Sequence, residues 1–262
     1  MKIVVCVKQV PGIANASIDP ETKRIVREGI KAVTNPFDTY AVEEAVRIKK
    51  RIGGEVVVLT MGPARADMVL REGISVGADG AVLLSDRAFG GSDTWATSYA
   101  LAKAIEKIGG VDLVICGKQA IDGDTAQVGP GIAAQLGWPQ ATYVMAVPEI
   151  TPDRIQVKRM HEDGWDLCEI KLPAVLTVVK DLNQPRIPTL KGMLAARKIV
   201  IPTWTAADIG ADLALIGLNG SPTRVVKTNP PPARDKAGLR LEGAGADIAL
   251  TLVRELRLRG LV

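Results

Sequence analysis

Short aliphatic runs, set apart by glycine- and proline-marked turns and by segments of helical period, constrain this chain more than any other feature. Ile3-Val4-Val5-Cys6-Val7 opens it as a buried strand, and residues 55–61, 81–84, 111–116 and 142–146 repeat the pattern. Runs without a polar face are what strands covered on both sides require. Only 3% of residues are aromatic against 47% hydrophobic, so the core must be built from Val, Ile, Leu and Ala. Between the runs, Ala41, Ala45, Ile48 and Ile52 follow Asn35-Pro36-Phe37-Asp38 at helical spacing, with Asp38 as N-cap and Gly53-Gly54 as the stop. Met68, Val69, Ile74 and Val76 mark a second helix closed by Gly77, and further helices are expected over 94–108 and 126–136. This alternation predicts an α/β fold with a parallel sheet joined by right-handed crossovers.

From about Val147 the pattern changes. Residues 155–159, 166–171 and 174–179 alternate in the manner of antiparallel strands and are expected to add edge strands. Ser17 to Val26 reads as a hairpin turned at Asp19-Pro20. Beyond Pro185 core signals thin out. Asn229-Pro230-Pro231-Pro232 is extended and polyproline-like, and residues 244–258 read as an amphipathic helix. The expected organisation is a domain over 1–190, edge strands included, and an extended C-terminal arm over 191–262 that wraps a partner. A tail packed on its own domain is the other reading of the same pattern.

Several function classes are disfavoured. The net charge is +4, and basic residues alternate with acids, as over 43–51, which describes a solvated helix face rather than a nucleic-acid stripe. Three cysteines without CxxC spacing support neither a disulfide framework nor a zinc site, so Cys6 and Cys116 are expected as buried thiols. His161 is the one histidine and cannot build a multi-histidine site. No apolar run reaches the ~20 residues of a membrane span, and the opening strand leaves no room for a signal peptide. A cytoplasmic protein is expected.

In parallel sheets ligands sit beyond the C-terminal strand ends, which directs attention to the loops after Val7, Met61, Leu84 and Cys116. Gly117 to Gly129 joins a strand end to a helix start. Its glycines permit tight turns, and the unpaired N–H groups of residues 125–128 would face an anion, with the Thr125 hydroxyl beside them. Asp122 and Asp124 should then point aside, to cap backbone or hold a ribose. An ordinary capped loop is the competing reading. Gly129-Pro130-Gly131-Ile132-Ala133-Ala134 matches the dinucleotide pattern GxGxxA, but it starts twelve residues past the strand end and is read as chance. Pro130 suits a first helical turn. In the loop over 86–97, Arg87 can bind a phosphate or a ring carbonyl. Gly90-Gly91 permits close approach, Asp93 or Thr94 can cap the helix, and Thr94 and Thr97 share a face. The alternative there is a capping loop with Trp95 in the core. Cys6-Val7-Lys8, Asn35-Pro36-Phe37-Asp38 and Met61-Gly62-Pro63 can offer backbone hydrogen bonds to an adenine edge.

Taken in order, these residues resemble the beta subunits of electron-transfer flavoproteins. Val5-Cys6-Val7-Lys8-Gln9-Val10-Pro11, Asn35-Pro36-Phe37-Asp38, Ala41-Val42-Glu43-Glu44-Ala45, Thr60-Met61-Gly62-Pro63, Gly77-Ala78-Asp79, Gly117-Lys118-Gln119-Ala120-Ile121-Asp122-Gly123-Asp124 and Leu172-Pro173-Ala174-Val175 carry the likeness. It implies an adenine-nucleotide-binding fold and a heterodimer with an alpha subunit that holds FAD. It also implies a second nucleotide on this chain, held by Cys6, Val7, Asn35, Pro36, Phe37, Asp38, Met61, Arg87, Thr94, Thr97 and the loop Gly117, Lys118, Gln119, Ala120, Asp122, Gly123, Asp124, Thr125, Ala126, Gln127, Val128 and Gly129. In simpler members of the family that nucleotide is AMP, in a structural role. In electron-bifurcating members it is a second FAD that takes a hydride from NADH. Ser85-Asp86-Arg87-Ala88-Phe89 with residues 93–97, then residues 122–130 and 217–223, are similar to the bifurcating group. Arg186 to Met193 is similar to the family's docking loop, with Leu190 at the anchor position. The implied electron acceptors are ferredoxin or flavodoxin and an acyl-CoA dehydrogenase or quinone-linked oxidoreductase. Such a chain is a redox subunit without a catalytic acid or base. Without the likeness, a general adenine-nucleotide-binding or ligase-like domain is the remaining reading, weakened by the absence of a Walker motif.

Overall fold

A computed structural model describes residues 1–12, 32–226 and 238–262. The expected hairpin at 17–26 and the proline run at 229–232 lie outside the described residues. The chain divides into two compact units, Met1–Val225 and Val226–Val262.

The first unit begins with β1 (Lys2–Cys6), then β2 (Gln9–Pro11) and β3 (Ala32–Thr34), which form a small antiparallel pair. α1 (Pro36–Ile52), β4 (Glu55–Met61), α2 (Asp67–Val76), β5 (Gly80–Leu84), α3 (Thr94–Ile108), β6 (Leu113–Gly117) and α4 (Val128–Leu136) then alternate as the aliphatic runs predict. β7 (Gln140–Ile150), β8 (Arg154–His161), β9 (Gly164–Lys171), β10 (Ala174–Val178), α5 (Leu190–Lys198), β11 (Thr203–Trp204) and the short α6 (Gly217–Gly220) follow. The main sheet has nine strands in the order β11-β5-β4-β1-β6-β10-β7-β8-β9. Pairing is parallel from β11 through β7 and antiparallel across β7, β8 and β9.

Successive strand residues point to opposite faces, and the core divides accordingly. Ile3 and Val5 of β1 join Val58, Ile115 and the inner faces of α1 and α2. Val4 and Cys6 join Leu59, Val114 and the inner faces of α3 and α4. Helices on both faces explain why these strands carry no polar side. Glycines end the helices where the sequence places them: Gly53 (φ 77°) after α1 and Gly77 (φ 125°) after α2.

Three expectations need correction. Residues 174–179 are not an antiparallel edge: β10 is parallel, wholly buried and seated between β6 and β7. The buried polar Thr177 gave the run a false alternation. Asp38 is not the N-cap of α1. The helix begins at Pro36, a residue suited to a first turn, and Asn35 occupies the cap position. Ile52, expected on the buried stripe, is 41% exposed. Residues 191–225 also carry more structure than the thin core signals suggested. β11 extends the sheet beside β5, Ala206, Ile209 and Ile216 enter the core, and Arg71 on α2 donates to the Ala196 carbonyl on α5.

In the second unit, α7 (Gly245–Leu258) has no buried residue, and Leu250, Leu252, Val253 and Leu258 are exposed. No helix among the described residues is long and apolar enough to cross a membrane.

Candidate functional site

The C-terminal ends of β1 and β6 lie side by side, and the chain leaving each is tied to the start of α1. Lys8 N–H donates to Asp38 Oδ2 (2.7 Å), and Asn35 N–H donates to the Lys8 carbonyl (2.8 Å). The Asn35 side chain is buried and bridges both loops. Its Nδ2 donates to Asp38 Oδ1 and to the Gln119 carbonyl (both 2.9 Å), and its Oδ1 accepts from Ile121 N–H (3.2 Å). Segments 6–8, 35–38 and 117–121 are therefore one hydrogen-bonded cluster. Burial pushes the Asp38 carboxyl up to about 7, against the donors Asn35, Lys8 and Gly117, which pull it down. Gly117 has no room for a side chain, since a Cβ there would stand 2.3 Å from Asp38 Oδ1. Lys118 turns its ammonium toward the rings of Phe37 (5.4 Å) and Tyr143 (5.2 Å).

Beyond Ile121 the loop is exposed. Asp122 pairs with Lys8 Nζ (2.7 Å) and Asp124 accepts from Gln119 Nε2, so both carboxylates have partners within the cluster. Asp124 and Ala126, neither a glycine, hold left-handed backbones at φ 54°, a conformation that costs of order 1 kcal/mol or more per residue and collects at ligand sites. No side chain caps α4 at Gln127. Among the described residues, the N–H groups of Thr125, Ala126, Gln127 and Val128 meet no protein acceptor. The helix starts two residues later than expected, which moves these donors to its entry rather than its first turn. Pro130 falls in the first turn as read.

The glycines of the GxGxxA match serve packing. A Cβ on Gly129 would lie 2.4 Å from Thr177 Cγ2, and one on Gly131 would lie 2.2 Å from Ser98 Oγ on α3. They let α4 press against β10 and α3, which supports reading that match as chance.

α3 differs from α4 at its start. Asp93, not Thr94, is the cap, accepting from Trp95 and Ala96 N–H. Thr94 is free to donate its hydroxyl to Gln127 Oε1 (3.1 Å), which joins the two helix entries. Thr97 is half-buried one turn on. Trp95 is 50% exposed and outside the core, contrary to the alternative reading of this loop. Arg87 is exposed on a short 3-10 turn capped by Asp86, whose carboxyl is lowered by the N–H groups of Ala88 and Ala206. Met61, at the end of β4, packs against the second core cluster, and Gly62 N–H donates to the Leu84 carbonyl (2.9 Å).

Residue-level reasoning did not foresee that segment 217–223 covers loop 85–93. Gly217 N–H donates to Ser92 Oγ (3.0 Å), and Thr223 is held by Asp93. Residues some 130 positions apart leave no local signal of such a contact.

Other groups stand apart from this cluster. A recess of about 440 Å³ is lined by Glu44, Arg47, Lys50, Arg51, Ala146, Val147, Pro148 and Leu182, and includes none of the strand-end residues. A second recess of about 300 Å³ touches the strand-end cluster at Val7 and otherwise lies among Thr34, α1, α2 and Pro185 to Pro188. Cys6 and Cys116 are neighbours across β1 and β6, both buried and free. A hydrogen bond with Cys6 and burial push the Cys116 thiol well up, so it stays neutral and is a poor nucleophile. No group of His, Cys, Asp and Glu that could hold a metal occurs among the described residues. Leu190 opens α5 behind a Thr189 cap and is 72% exposed, in company with exposed Ile187, Met193 and Leu194. Arg186 ties this stretch down through paired bonds to buried Glu43 (2.7 and 2.9 Å).

Known proteins are similar to this chain in sequence. The family described as "Electron transfer flavoprotein domain" matches residues 22–209. The electron transfer flavoprotein subunit beta of Thermoanaerobacterium thermosaccharolyticum is 48% identical over 263 residues, spanning 100% of both chains. The caffeyl-CoA reductase-Etf complex subunit CarD of Acetobacterium woodii is 46% identical over 98% of each chain. Protein FixA of Azotobacter vinelandii is 45% identical over 94% of this chain and 90% of its own.

Proposed function

Because this chain belongs to the electron transfer flavoprotein family, as a beta subunit beside an alpha subunit, we propose that its strand-end loops bind FAD and that the subunit takes part in electron bifurcation from NADH. The observation that carries this reading is convergence. The three segments similar to the bifurcating group, 85–89 with 93–97, 122–130 and 217–223, meet around the entries of α3 and α4.

The residues present fit a dinucleotide. Four unpaired N–H groups at the start of α4, opened by the left-handed Asp124 and Ala126, suit a pyrophosphate. Carboxylates that would repel it are engaged by Lys8 and Gln119. In this reading Cys6, Val7, Asn35 to Asp38 and Met61 would border the adenine, and Arg87, Thr94 and Thr97 would hold the flavin side or NADH. FAD held there would supply the redox chemistry, which is to accept two electrons as hydride from NADH and pass them on singly, with the proton released to solvent, to ferredoxin or flavodoxin and, through the alpha subunit's FAD, to a dehydrogenase. The protein's part is to bind, orient and exclude water; no side chain moves a proton in the reaction. The Acetobacterium woodii relative is named as a subunit of a caffeyl-CoA reductase-Etf complex. By analogy, the exposed patch at Leu190 docks an acyl-CoA dehydrogenase or quinone-linked oxidoreductase, and the C-terminal unit with its unburied α7 wraps the alpha subunit.

The alternative is an AMP-binding structural and docking subunit, favoured if the backbone donors at α4 meet a single phosphate. Nucleotide content decides between them. The complex with the alpha subunit is expected to release two FAD and no AMP; one FAD and one AMP would replace the bifurcating reading with the docking one. Within the first outcome, Arg87→Ala is expected to slow NADH reduction of the second flavin about tenfold, the effect of one lost charge-assisted hydrogen bond. The exposed Arg87 side chain makes no hydrogen bond or ion pair among the described residues. Stopped-flow reduction checks this, and unchanged NADH kinetics would remove Arg87 from the site.

A further inference from the structure

We propose that Asp93 is a positioning residue for the nucleotide site: its one carboxylate clasps segment 217–223 to the first turn of α3 and so fixes the Thr94–Gln127 contact at the entry of α4. The inference rests on a nucleotide lying at that entry, whichever nucleotide it is.

Each oxygen of Asp93 has its own task. Oδ1 accepts from Trp95 N–H (3.0 Å) and Ala96 N–H (3.1 Å) and caps the helix. Oδ2 accepts from Thr223 N–H (3.0 Å) and Thr223 Oγ1 (2.8 Å) and holds the covering segment. The Asp93 N–H donates to Ser221 Oγ (2.8 Å), whose hydroxyl donates to the Gly217 carbonyl (2.7 Å). The two backbones touch closely. A Cβ on Gly217 (φ 59°) would lie 2.2 Å from the Ala88 carbonyl oxygen, and one on Gly91 (φ 76°) would lie 2.6 Å from Leu218 Cγ. The covering segment is thus built onto loop 85–93 along its length.

A cap alone does not require aspartate here. Serine, threonine or asparagine satisfies first-turn N–H groups comparably. Only a carboxylate brings a second acceptor oxygen that can serve Thr223 while the first serves the helix. No cation pairs with Asp93 among the described residues. Burial raises its carboxyl, and the Ala96, Thr223 and Trp95 donors together outweigh burial and hold it low. The next residue, Thr94, donates to Gln127 at the uncapped entry of α4. Movement of the first turn of α3 therefore moves one wall of the proposed nucleotide site.

The test uses the complex with the alpha subunit. The released nucleotide is identified first, and its dissociation constant is then measured for wild type, Thr223→Val, Thr223→Ser and Asp93→Asn, with amide exchange followed alongside. Thr223→Val loses the hydroxyl donor and leaves the helix cap whole. It is expected to weaken nucleotide binding roughly threefold, and Asp93→Asn, which keeps one acceptor oxygen for two tasks, about tenfold. Thr223→Ser is expected to restore wild-type affinity. Exchange is expected to rise at 93–97 and 125–128 as well as at 217–223. The clasp is overturned if Thr223→Val raises exchange only at 217–223, or if it leaves nucleotide affinity at the wild-type value. Should the released nucleotide be AMP, the redox reading fails and the clasp is judged on AMP affinity. Should it be FAD with affinity unmoved by Thr223→Val, the clasp fails and the redox reading stands.

Discussion

Gly117→Ala is expected to destabilise the protein by about 3 kcal/mol and to empty the proposed nucleotide site. Gly117 ends β6, where a Cβ would stand 2.3 Å from Asp38 Oδ1, 2.7 Å from the Phe37 carbonyl carbon and 2.8 Å from Phe37 Cβ. Two of these are not ends of flexible side chains that can swing away. One is backbone in the first turn of α1, and one is a buried carboxylate already holding Lys8 and Asn35. Forcing an atom into packed surroundings costs roughly 1–3 kcal/mol, and here the Asp38 hydrogen bonds are lost as well. For a chain of this size that corresponds to a fall in melting temperature of about 6–12 °C. The displaced groups belong to segments 6–8, 35–38 and 117–121 together, so nucleotide content is expected to fall with stability. Gly123→Ala is the control in the same loop, since nothing lies within 4 Å of a Cβ there and its φ is unexceptional. It is expected to melt within about 1 °C of wild type. Equal melting of the two variants by calorimetry would refute the crowding argument.

Much of this architecture was legible because local period and global role agree. β1, β4, β5 and β6 are mainly aliphatic, with the buried Thr60 a polar exception within β4, since helices cover both their faces, and the helices stop at glycines that hold φ values other residues avoid. β10 broke the correspondence. Its Thr177 is buried, so a polar residue in the pattern did not mark a solvent face. β11 was invisible for another reason: a two-residue strand has no period, and its place is set by pairing with β5. Asp38 misled because a carboxylate near a helix start resembles a cap, yet the proline at position 36 had already begun the helix.

The loops of the site divide along the same line. Gly117 to Gly129 could be singled out because it lies between a strand and a helix and is rich in turn-forming residues. Which of its groups are free could not be read, since that depends on Asn35 reaching across from α1 to occupy Ile121 N–H and on Lys8 engaging Asp122. The clasp at Asp93 is the extreme case, where residues near 90 and near 220 meet and neither stretch signals the other. Hydrogen-bond partners distant in sequence are a property of topology, and topology was inferred only as far as sheet direction.

The buried Asp38 carboxyl is expected to make the protein lose stability as pH rises from about 4 to about 7. Its pKa is about 7 in the folded chain against an ordinary 3.8, because burial penalises the charge more than Asn35, Lys8 and Gly117 relieve it. Between those values the folded state holds a proton that the unfolded state has released, so the unfolded state binds fewer protons and stability falls with pH. The contribution is fully present below the unfolded pKa and is lost as pH passes through the folded one. At about 1.4 kcal/mol per unit, the loss approaches about 4 kcal/mol by neutral pH. Glu44, also raised by burial, acts in the same direction, so the wild-type slope alone does not isolate Asp38. Asp38→Asn does. The amide removes the titration while Glu44 remains, and the variant's curve is expected to be flatter over this window by the Asp38 share, whatever its absolute stability. Urea midpoints of the complex at fixed concentration, taken between pH 4.5 and 7.5, measure the difference in slope. Parallel curves would mean that Asp38 titrates alike in the folded and unfolded chain, and that its three donors cancel the cost of burial. A flatter variant curve would place a neutral carboxyl beneath the Lys8 and Asn35 segments at mildly acidic pH, where any nucleotide resting on them should be held with a matching pH dependence.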